Sequence, residues 1–251
     1  MTIPPMLIGL VFSLAMIAVL GILLSRRKVT RRVAVLMQIA VLLVAGLMLG
    51  GVPNPIAQLD SGVRSLSHGQ LPLLPLVGLG LLLATALIMG RAFCGYACPL
   101  GAAQELMSLP MKRKVKIGRK LAGRVRWGFF ALFIALAALT ALYPKYDPFT
   151  FFGLGWALPP TIAFAAIMTA SLFVYRPWCE LLCPFGALAS LASRRSVLRL
   201  RRNDDCVDCG RCVRACPTEE PKAGATMERC YYCGRCLEVC PKDALVFGRG
   251  P

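Results

Sequence analysis

The sequence predicts a mainly α-helical protein: a polytopic membrane bundle with five spans and a duplicated helical hairpin, then a small α+β two-cluster bacterial ferredoxin domain. Three observations support this fold class. First, the 251 residues are 57% hydrophobic and only 16% charged, whereas a soluble domain carries about 25% charged residues. Second, the positive charges are concentrated in alternate loops between apolar stretches. Third, the twelve cysteines fall into two kinds of repeated motif.

Five apolar stretches are candidates for membrane-spanning helices. Each approaches the ~20 residues with which a helix crosses ~30 Å of hydrocarbon. Each is nearly free of charged residues, unlike the amphipathic helices of soluble proteins. The stretches cover residues 4–24, 33–52, 71–90, 127–143 and 157–175.

The loops between these stretches predict the orientation. Those that follow the first, third and fifth stretches are rich in Lys and Arg, whereas the other two contain only Arg64 and Lys145. Positive loops mark the cytoplasmic side. We therefore expect a multi-pass protein of a bacterial or archaeal cytoplasmic membrane, with an outer N-terminus and a cytoplasmic ferredoxin domain. In this arrangement the basic residues lie beside membrane lipid. Their positive charge is then explained by membrane topology, and we expect no nucleic-acid partner.

Charge also changes along the chain near residue 203. The first 202 residues contain 22 Lys and Arg against 4 acids, whereas the remainder contains 7 against 8. With the repeated motifs described below, this change predicts four segments. They are an additional N-terminal span and basic loop (1–32), a first membrane hairpin (33–110), a second membrane hairpin (111–202) and a ferredoxin domain (203–251).

The last segment contains the pattern C-x2-C-x2-C-x3-C-P twice. In bacterial ferredoxins three close thiolates of such a run hold one cluster, and the fourth holds the other. This exchange predicts two [4Fe–4S] clusters. Zinc sites and disulfides are alternatives, but zinc seldom requires two identical four-cysteine runs, and disulfides are rare in the cytoplasm. The predicted ligand sets are Cys206, Cys209, Cys212 and Cys240 for one cluster, and Cys230, Cys233, Cys236 and Cys216 for the other.

The membrane part contains a second repeated motif, in which arginine and an aromatic residue precede Cys-x3-Cys-Pro. The two copies hold Cys94 with Cys98 and Cys179 with Cys183, at a constant offset of 85 residues. Such an offset indicates an internal duplication. Because both copies follow stretches that run in the same direction, we expect the four cysteines at the cytoplasmic interface. Each proline favours a new helix that begins just after the second cysteine.

Three interpretations of these four cysteines remain open. They are packing residues, since free cysteine is often buried, or they bind one soft metal such as copper. The favoured interpretation is a third iron–sulfur centre or a redox-active thiol site between the membrane and the tail, because four thiolates suit a cluster.

Together, the two membrane motifs and the two-cluster tail resemble the NapH/MauN-type membrane polyferredoxins, and are similar to the membrane parts of NosR and CcoG. The resemblance implies an iron–sulfur electron-transfer subunit of a membrane quinone oxidoreductase. Such a subunit passes electrons between the quinone pool and partner redox proteins, including iron–sulfur or cytochrome proteins. Alternatives are a copper-handling, oxidase-maturation factor of the CcoG kind and a membrane redox sensor of the NosR kind.

Quinone chemistry needs a group that exchanges protons, and three residues are weak candidates. Asp147 lies among aromatic residues in an outer loop, although it also suits a turn in an aromatic belt. His68 lies in the other outer loop and has a suitable intrinsic pKa, but a lone loop histidine is usually incidental. Glu180 lies beside Cys179 at the inner face. Since His68 is the only histidine, we expect no haem with two histidine ligands.

Overall fold

The computed structural model describes residues 5–111, 114–140, 142–154, 157–222 and 226–249. The chain is mainly helical, as the sequence predicts. Its longer helices are α1 (Pro5–Ser25), α2 (Arg31–Val41), α3 (Pro55–Ser67), α4 (Leu73–Met89), α7 (Arg119–Leu139), α9 (Leu158–Phe173) and α10 (Pro184–Ser193). Shorter helices are α5 (Ala92–Tyr96), α6 (Pro99–Met107), α8 (Tyr143–Tyr146), α11 (Arg211–Ala215) and α12 (Arg235–Glu238).

Within the described residues, three helices are long and apolar enough to cross a membrane. They cover Met6–Ser25, Arg31–Met48 and Arg119–Leu139, and the second includes a π-helical segment, Leu42–Met48, that continues α2. These three helices occupy the first, second and fourth apolar stretches of the sequence. Residue 4, where the first stretch begins, lies outside the described residues.

The third and fifth apolar stretches form helices that are shorter than the stretches themselves. α4 has 17 residues and α9 has 16, which gives lengths of about 24–26 Å at 1.5 Å per residue. The hydrocarbon of a bilayer is ~30 Å thick. Three of the five predicted spans therefore coincide with helices of full length, whereas the third and fifth remain predictions.

Helix α3 lies in a segment that is predicted from the sequence to be an outer loop. It begins at Asn54, whose side-chain oxygen accepts hydrogen bonds from the backbone N–H groups of Ile56 and Ala57 at 3.1 and 3.0 Å. This is an ordinary N-terminal cap. One face of α3, including Leu59 and Asp60, is buried, and the helix packs against α4 and α7. An additional helix therefore contributes to the membrane bundle.

The two Cys-x3-Cys-Pro motifs have similar backbones. In each, a short helical segment holds the first cysteine, and the second cysteine is the N-cap of the following helix. The first copy places Cys98 before α6, and the second places Cys183 before α10. The proline that follows each cysteine occupies the first helical turn, where its missing N–H costs no hydrogen bond. This local structure is the one that the sequence predicts.

The tail contains a two-stranded antiparallel sheet, β1 (Leu198–Arg202) with β2 (Leu245–Arg249). In the register of this sheet Leu200 lies opposite Phe247. Strand β1 precedes residue 203, where the sequence analysis places the start of the ferredoxin domain. One strand of this sheet therefore comes from the segment that follows α10. The sheet pairs the segment before the two cysteine runs with the segment after them.

Candidate functional site

The first predicted ligand set of the tail surrounds one cavity. This cavity is lined by all four predicted cysteines. Three of them come from the first cysteine run and the fourth, Cys240, comes from the second. Gly210 makes this possible, because its left-handed backbone (φ 67°) turns the chain into α11 at little steric cost. The four cysteines of this cavity are Cys206, Cys209, Cys212 and Cys240.

The second set lines another cavity. Cys216, the fourth cysteine of the first run, lies at this cavity with three cysteines of the second run. In the structure, the fourth cysteine of each run therefore lies beside the first three cysteines of the other run. Gly234 (φ 79°) turns the chain into α12, and a Cβ at this position would lie 2.9 Å from the Val29 carbonyl oxygen. The cysteines of this cavity are Cys216, Cys230, Cys233 and Cys236.

The surroundings of these sulfurs fit an iron–sulfur cluster. The backbone N–H of Ala244 donates to the Cys240 sulfur at 3.3 Å, a contact of the kind that tunes cluster potentials. Among the described residues, no three His, Cys, Asp or Glu side chains converge closely enough to hold a single metal ion. The tail cysteines instead lie in two sets of four, each set lining one cavity. This arrangement suits a cluster of several atoms better than one zinc ion.

The four membrane cysteines are all buried. The backbone N–H of Gly186 donates to the Cys183 sulfur at 3.2 Å, and the Gln104 amide donates to the Cys179 sulfur at 3.2 Å. Burial, together with Cys179 and Cys94, raises the pKa of the Cys98 thiol well above its ordinary value. Burial thus favours the neutral form of this thiol, and a metal that binds its sulfur must displace the proton.

Two arginines connect the membrane motifs reciprocally. Arg91, of the first motif, donates to the backbone carbonyls of Cys179 and Gly186 in the second, at 2.5 and 3.3 Å. Arg176, of the second motif, donates to the carbonyl of Cys94 in the first, at 2.6 Å. Both guanidinium groups are fully buried. Each half of the repeat thus holds the cysteine-bearing backbone of the other half.

Two glycines at equivalent positions allow this close packing. A Cβ on Gly101 would lie 2.3 Å from the Cys94 carbonyl oxygen, and a Cβ on Gly186 would lie 2.9 Å from the Cys179 carbonyl oxygen. Side chains larger than hydrogen cannot fit there without a shift of backbone. The motif therefore requires glycine three residues after its second cysteine.

Each buried arginine also pairs with a carboxylate. Glu180 accepts hydrogen bonds from Arg91 at 3.3 Å and from Arg126 at 2.7 Å, and it also pairs with Arg229. Glu105 accepts from Arg176 at 2.9 Å and from Arg235 at 2.6 Å. Although burial opposes the charge of Glu105, Arg176 and Arg235 hold its pKa below the ordinary value.

The ion pairs of this network contain more arginines than acids. Among the described residues, five guanidinium groups pair with only two carboxylates, Glu105 and Glu180, and all of these arginines but Arg235 are buried. A buried charge without a partner is costly. The network therefore favours additional negative charge nearby, and the four adjacent cysteines could supply it as thiolates. The five arginines are Arg91, Arg126, Arg176, Arg229 and Arg235.

Tyr231, from the second tail run, lies between the two repeats. The guanidinium carbons of Arg91 and Arg176 lie 4.7 and 4.8 Å from the centre of its ring. Its hydroxyl donates to Glu180 at 2.9 Å and accepts from Arg91 at 2.5 Å. A Cβ on Gly95, in the first membrane motif, would lie 2.6 Å from the Tyr231 carbonyl oxygen. The cysteine run that lines the second cavity thus packs directly on the membrane motifs.

The three proton-exchange candidates have different surroundings, and the structure does not bring them together. Glu180 is buried in the arginine network. His68 is exposed and ends α3. Asp147 is buried, and it accepts hydrogen bonds from Asn54 at 2.6 Å and Tyr143 at 2.7 Å.

Burial raises the pKa of Asp147, although hydrogen bonds from Phe149, Tyr143 and Asn54 oppose this shift. Asp147 is therefore a buried acid that is held by hydrogen bonds and favours its protonated form.

Several residues of the site were not predicted. These residues lie outside the cysteine motifs or carry no metal-binding atom. They are Gln104, Glu105, Arg126, Arg229 and Tyr231. One signal was available for Glu105 and Glu180, since only four acids occur in the first 202 residues. An acid that is rare in a basic, apolar segment has a buried partner more often than a surface acid does.

Comparison with protein families finds two models, each described as a 4Fe-4S binding domain. One matches residues 71–118 and 156–203, so that each match includes one membrane cysteine motif. The other matches residues 202–219 and 226–246, the two cysteine runs of the tail. No solved structure matches the chain at a significant level.

Curated relatives include YccM of Escherichia coli (strain K12), whose name refers to electron transport, at 32% identity over 68% of this chain. The methylamine utilization ferredoxin-type protein MauN of Paracoccus denitrificans is 31% identical over 52% of this chain. The ferredoxin-type protein NapH of Haemophilus influenzae is 26% identical over 61%. The chain spans 55, 50 and 58% of the length of these relatives, respectively.

Proposed function

We propose that this chain, which belongs to the NapH/MauN type of ferredoxin-type membrane proteins related to NosR, passes electrons between the quinone pool and partner redox proteins. Iron–sulfur electron transfer is common to the chain and its ferredoxin-type relatives. The observation that carries the proposal is the position of Tyr231. This residue places the cysteine run of one tail cavity directly against both membrane motifs.

The membrane part is proposed to be a duplicated hairpin of four spans, preceded by an additional span at residues 1–32. Two observations support the duplication: the reciprocal contacts of Arg91 and Arg176, and the 85-residue offset between the two family matches. The distribution of Lys and Arg supports an outer N-terminus and a cytoplasmic tail. The hairpins are proposed to cover residues 33–110 and 111–202, and the tail 203–251 with β1 added.

The tail is proposed to hold two [4Fe–4S] clusters. Cys206, Cys209, Cys212 and Cys240 would hold one of them. Cys216, Cys230, Cys233 and Cys236 would hold the other, and each set lines one cavity. When bound, such clusters supply one-electron carriers whose potentials depend on charge, hydrogen bonds and exposure. The chain's own contribution is to bury the second set against the membrane motifs and to leave Cys209 of the first set exposed.

Cys94, Cys98, Cys179 and Cys183 are proposed to hold a third iron–sulfur centre. The surplus of buried guanidinium groups supports this proposal, because a cluster with four thiolate ligands is anionic. Packing cysteines would remain neutral and would leave the surplus uncompensated. A copper-handling role requires the same thiolates. We place the copper interpretation second, because the family model that matches both membrane motifs is described as a 4Fe-4S binding domain.

The quinone is proposed to react near Asp147 and Tyr143, in a haem-free chain. Quinol oxidation releases two protons with two electrons, so the site needs a group that can accept a proton. Asp147 is buried, its pKa is raised, and it is hydrogen-bonded to Tyr143 and Asn54. Glu180 is less suitable, because three arginines hold its carboxylate.

The experiment that tests the function uses the full chain, loaded with iron and sulfide and reconstituted into lipid nanodiscs. Quinol is added without oxygen, and reduction of the iron–sulfur signals is followed by paramagnetic resonance. We expect reduction in the wild type, and slow or no reduction in Cys94→Ser and Cys179→Ser. Dithionite should still reduce the tail clusters of both variants, which shows that the tail is intact.

An exposed basic residue of the outer loop, Lys145, provides the matched control, since Lys145→Gln should retain the wild-type rate. The proposal is wrong if quinol fails to reduce any cluster that dithionite reduces, whether or not a partner protein is present. It is also wrong if the cysteine variants are reduced as rapidly as the wild type.

A further inference from the structure

A basic pocket lies between the membrane helices and the ferredoxin tail, at the end of the bundle that carries the basic loops. It is an open cavity of about 280 Å³. Among the residues that the structure describes, five cationic side chains and no carboxylate line it. The cations are Arg31, Lys114, Lys116, Arg214 and Arg235, and the remaining lining residues include Met111, Tyr175 and Cys216.

The fold assembles this pocket from distant parts of the chain. Arg31 begins α2, Lys114 and Lys116 lie between α6 and α7, and Arg214 and Arg235 come from the two short tail helices. Like charges repel, so their convergence costs free energy unless an anion lies between them. The excess of Lys and Arg in cytoplasmic loops does not by itself require this convergence, because the cations of such loops can point apart into water.

Three of the five cations have no carboxylate partner among the described residues. Lys114 donates only to the carbonyls of Ser171 and Leu172, at 2.9 and 2.7 Å. Arg214 donates only to the Cys209 carbonyl, and Arg31 makes no ion pair through its side chain.

The acids around the pocket are already engaged. Arg235 pairs with Glu105, which also holds Arg176, and Lys116 pairs with Glu219 at the exposed rim. Glu238 accepts a hydrogen bond from the backbone N–H of Arg31. The pocket therefore retains a positive charge that the nearby side chains do not neutralise.

We propose that this pocket binds a phosphate-bearing anion. Guanidinium and ammonium groups bind phosphate through charge-assisted hydrogen bonds. Basic pockets between membrane helices on the cytoplasmic side are suited to anionic lipid headgroups. Exposed apolar residues beside the cations, Met111 and Val115, offer a surface for acyl chains. The same cations would also accept a soluble phosphate, so the source of the anion is decided by experiment.

The test uses the full, cluster-loaded chain in detergent, titrated separately with short-chain phosphatidylglycerol, short-chain phosphatidylcholine and inorganic phosphate. Native mass spectrometry counts bound lipid, and equilibrium dialysis measures bound phosphate. The double variant Arg31→Gln/Lys114→Gln should bind the anion about tenfold or more weakly, as expected for the loss of two charge-assisted contacts. Arg195→Gln removes an exposed cation outside the pocket and should bind as the wild type does.

Iron content and the paramagnetic resonance of the tail clusters report on folding, and the pair Arg31→Lys/Lys114→Arg should restore binding. Preference for phosphatidylglycerol over phosphatidylcholine identifies a lipid headgroup. Saturable binding of inorganic phosphate without that preference identifies a soluble source. The proposal is overturned if neither binds, or if the double variant and Arg195→Gln lose binding equally. Since this measurement follows binding alone, its failure would leave the electron-transfer proposal unaffected.

Discussion

The phenol ring of Tyr231 stacks on the guanidinium of Arg91, whose central carbon lies 4.7 Å from the ring centre. Arg176 contacts the same ring at 4.8 Å. One residue of the ferredoxin tail thus joins the two halves of the membrane repeat. Tyr231 lies between Cys230 and the second tyrosine of its run, in the loop that lines the second tail cavity. The same loop therefore lines this cavity and orients the tail against the membrane motifs.

The first prediction concerns this contact. Tyr231→Phe keeps the ring but removes the hydroxyl that bonds to Arg91 and Glu180. The loss leaves buried charged groups with fewer partners, so the free energy of unfolding should fall by about 1–3 kcal/mol. Denaturant unfolding in detergent measures it. The exposed Tyr146 supplies the control, and Tyr146→Phe should change stability by less than about 0.5 kcal/mol. Equal effects of the two substitutions would contradict the proposed docking.

The sequence predicted the parts of the site that depend on local spacing. The eight tail cysteines, and the helices that begin after Cys98 and Cys183, follow from motifs in which a few neighbouring residues determine the backbone. The run pattern also predicts the exchange of Cys216 and Cys240 between clusters, and the cavity linings agree with this proposal.

Contacts between distant residues could not be predicted in this way. Nothing in the sequence connects Arg229 with Glu180, which lie 49 residues apart, or strand β1 with β2. Helix α3 was missed because its apolar face is narrow and its segment lies between two strongly apolar stretches. Such features depend on which surfaces the fold brings together.

The second prediction concerns the equivalent glycines. Gly101→Ala places a methyl group 2.3 Å from the Cys94 carbonyl oxygen, so the cysteine-bearing backbone must shift. We expect lower iron content at the membrane centre and destabilisation by about 1–3 kcal/mol. Gly128→Ala is the matched control, because a Cβ there meets no atom within 4 Å and alanine favours helix. Iron analysis and thermal unfolding of both variants check the prediction, which fails if Gly101→Ala behaves like Gly128→Ala.

The third prediction concerns the buried carboxylate of Glu180. Glu180→Gln removes the negative charge that faces Arg91, Arg126 and Arg229. Breaking a buried ion pair on one side costs about 3–5 kcal/mol, so the variant should be severely destabilised. Glu219 pairs only with exposed lysines, and Glu219→Gln should cost about 1 kcal/mol or less. Similar unfolding midpoints for the two variants would argue against a buried network.

The fourth prediction concerns pH. Burial raises the pKa of Asp147 above its ordinary value of 3.8, so the folded chain holds this proton more tightly than the unfolded chain. The contribution of Asp147 to stability is therefore largest below pH 3.8 and decreases as pH rises through the folded pKa. Asp147→Asn cannot ionise and should lack this decrease. Thermal unfolding of wild type and variant across this pH range isolates the difference, and the exposed Asp204→Asn should show the wild-type slope.

The fifth prediction concerns the number of clusters. If all three centres form as cubanes, the full chain prepared without oxygen should contain about twelve irons, at four irons per cubane. Cys94→Ser and Cys183→Ser should each reduce this to about eight, with the tail signals in paramagnetic resonance unchanged. Copper, measured in the same samples, should be absent from the wild type. Copper that is bound by the wild type and lost in both variants would instead support the copper-handling interpretation.

The tail variants test the exchange of ligands in the same preparation. Cys216→Ser should disturb the signal of the cluster that Cys230, Cys233 and Cys236 hold, because these residues line one cavity. It should leave the other signal intact, although Cys216 belongs to the same run as Cys206 and Cys209. Cys240→Ser should have the opposite effect, because Cys240 lines the cavity of the first run. If each variant disturbed the cluster of its own run, the proposed ligand sets would be wrong.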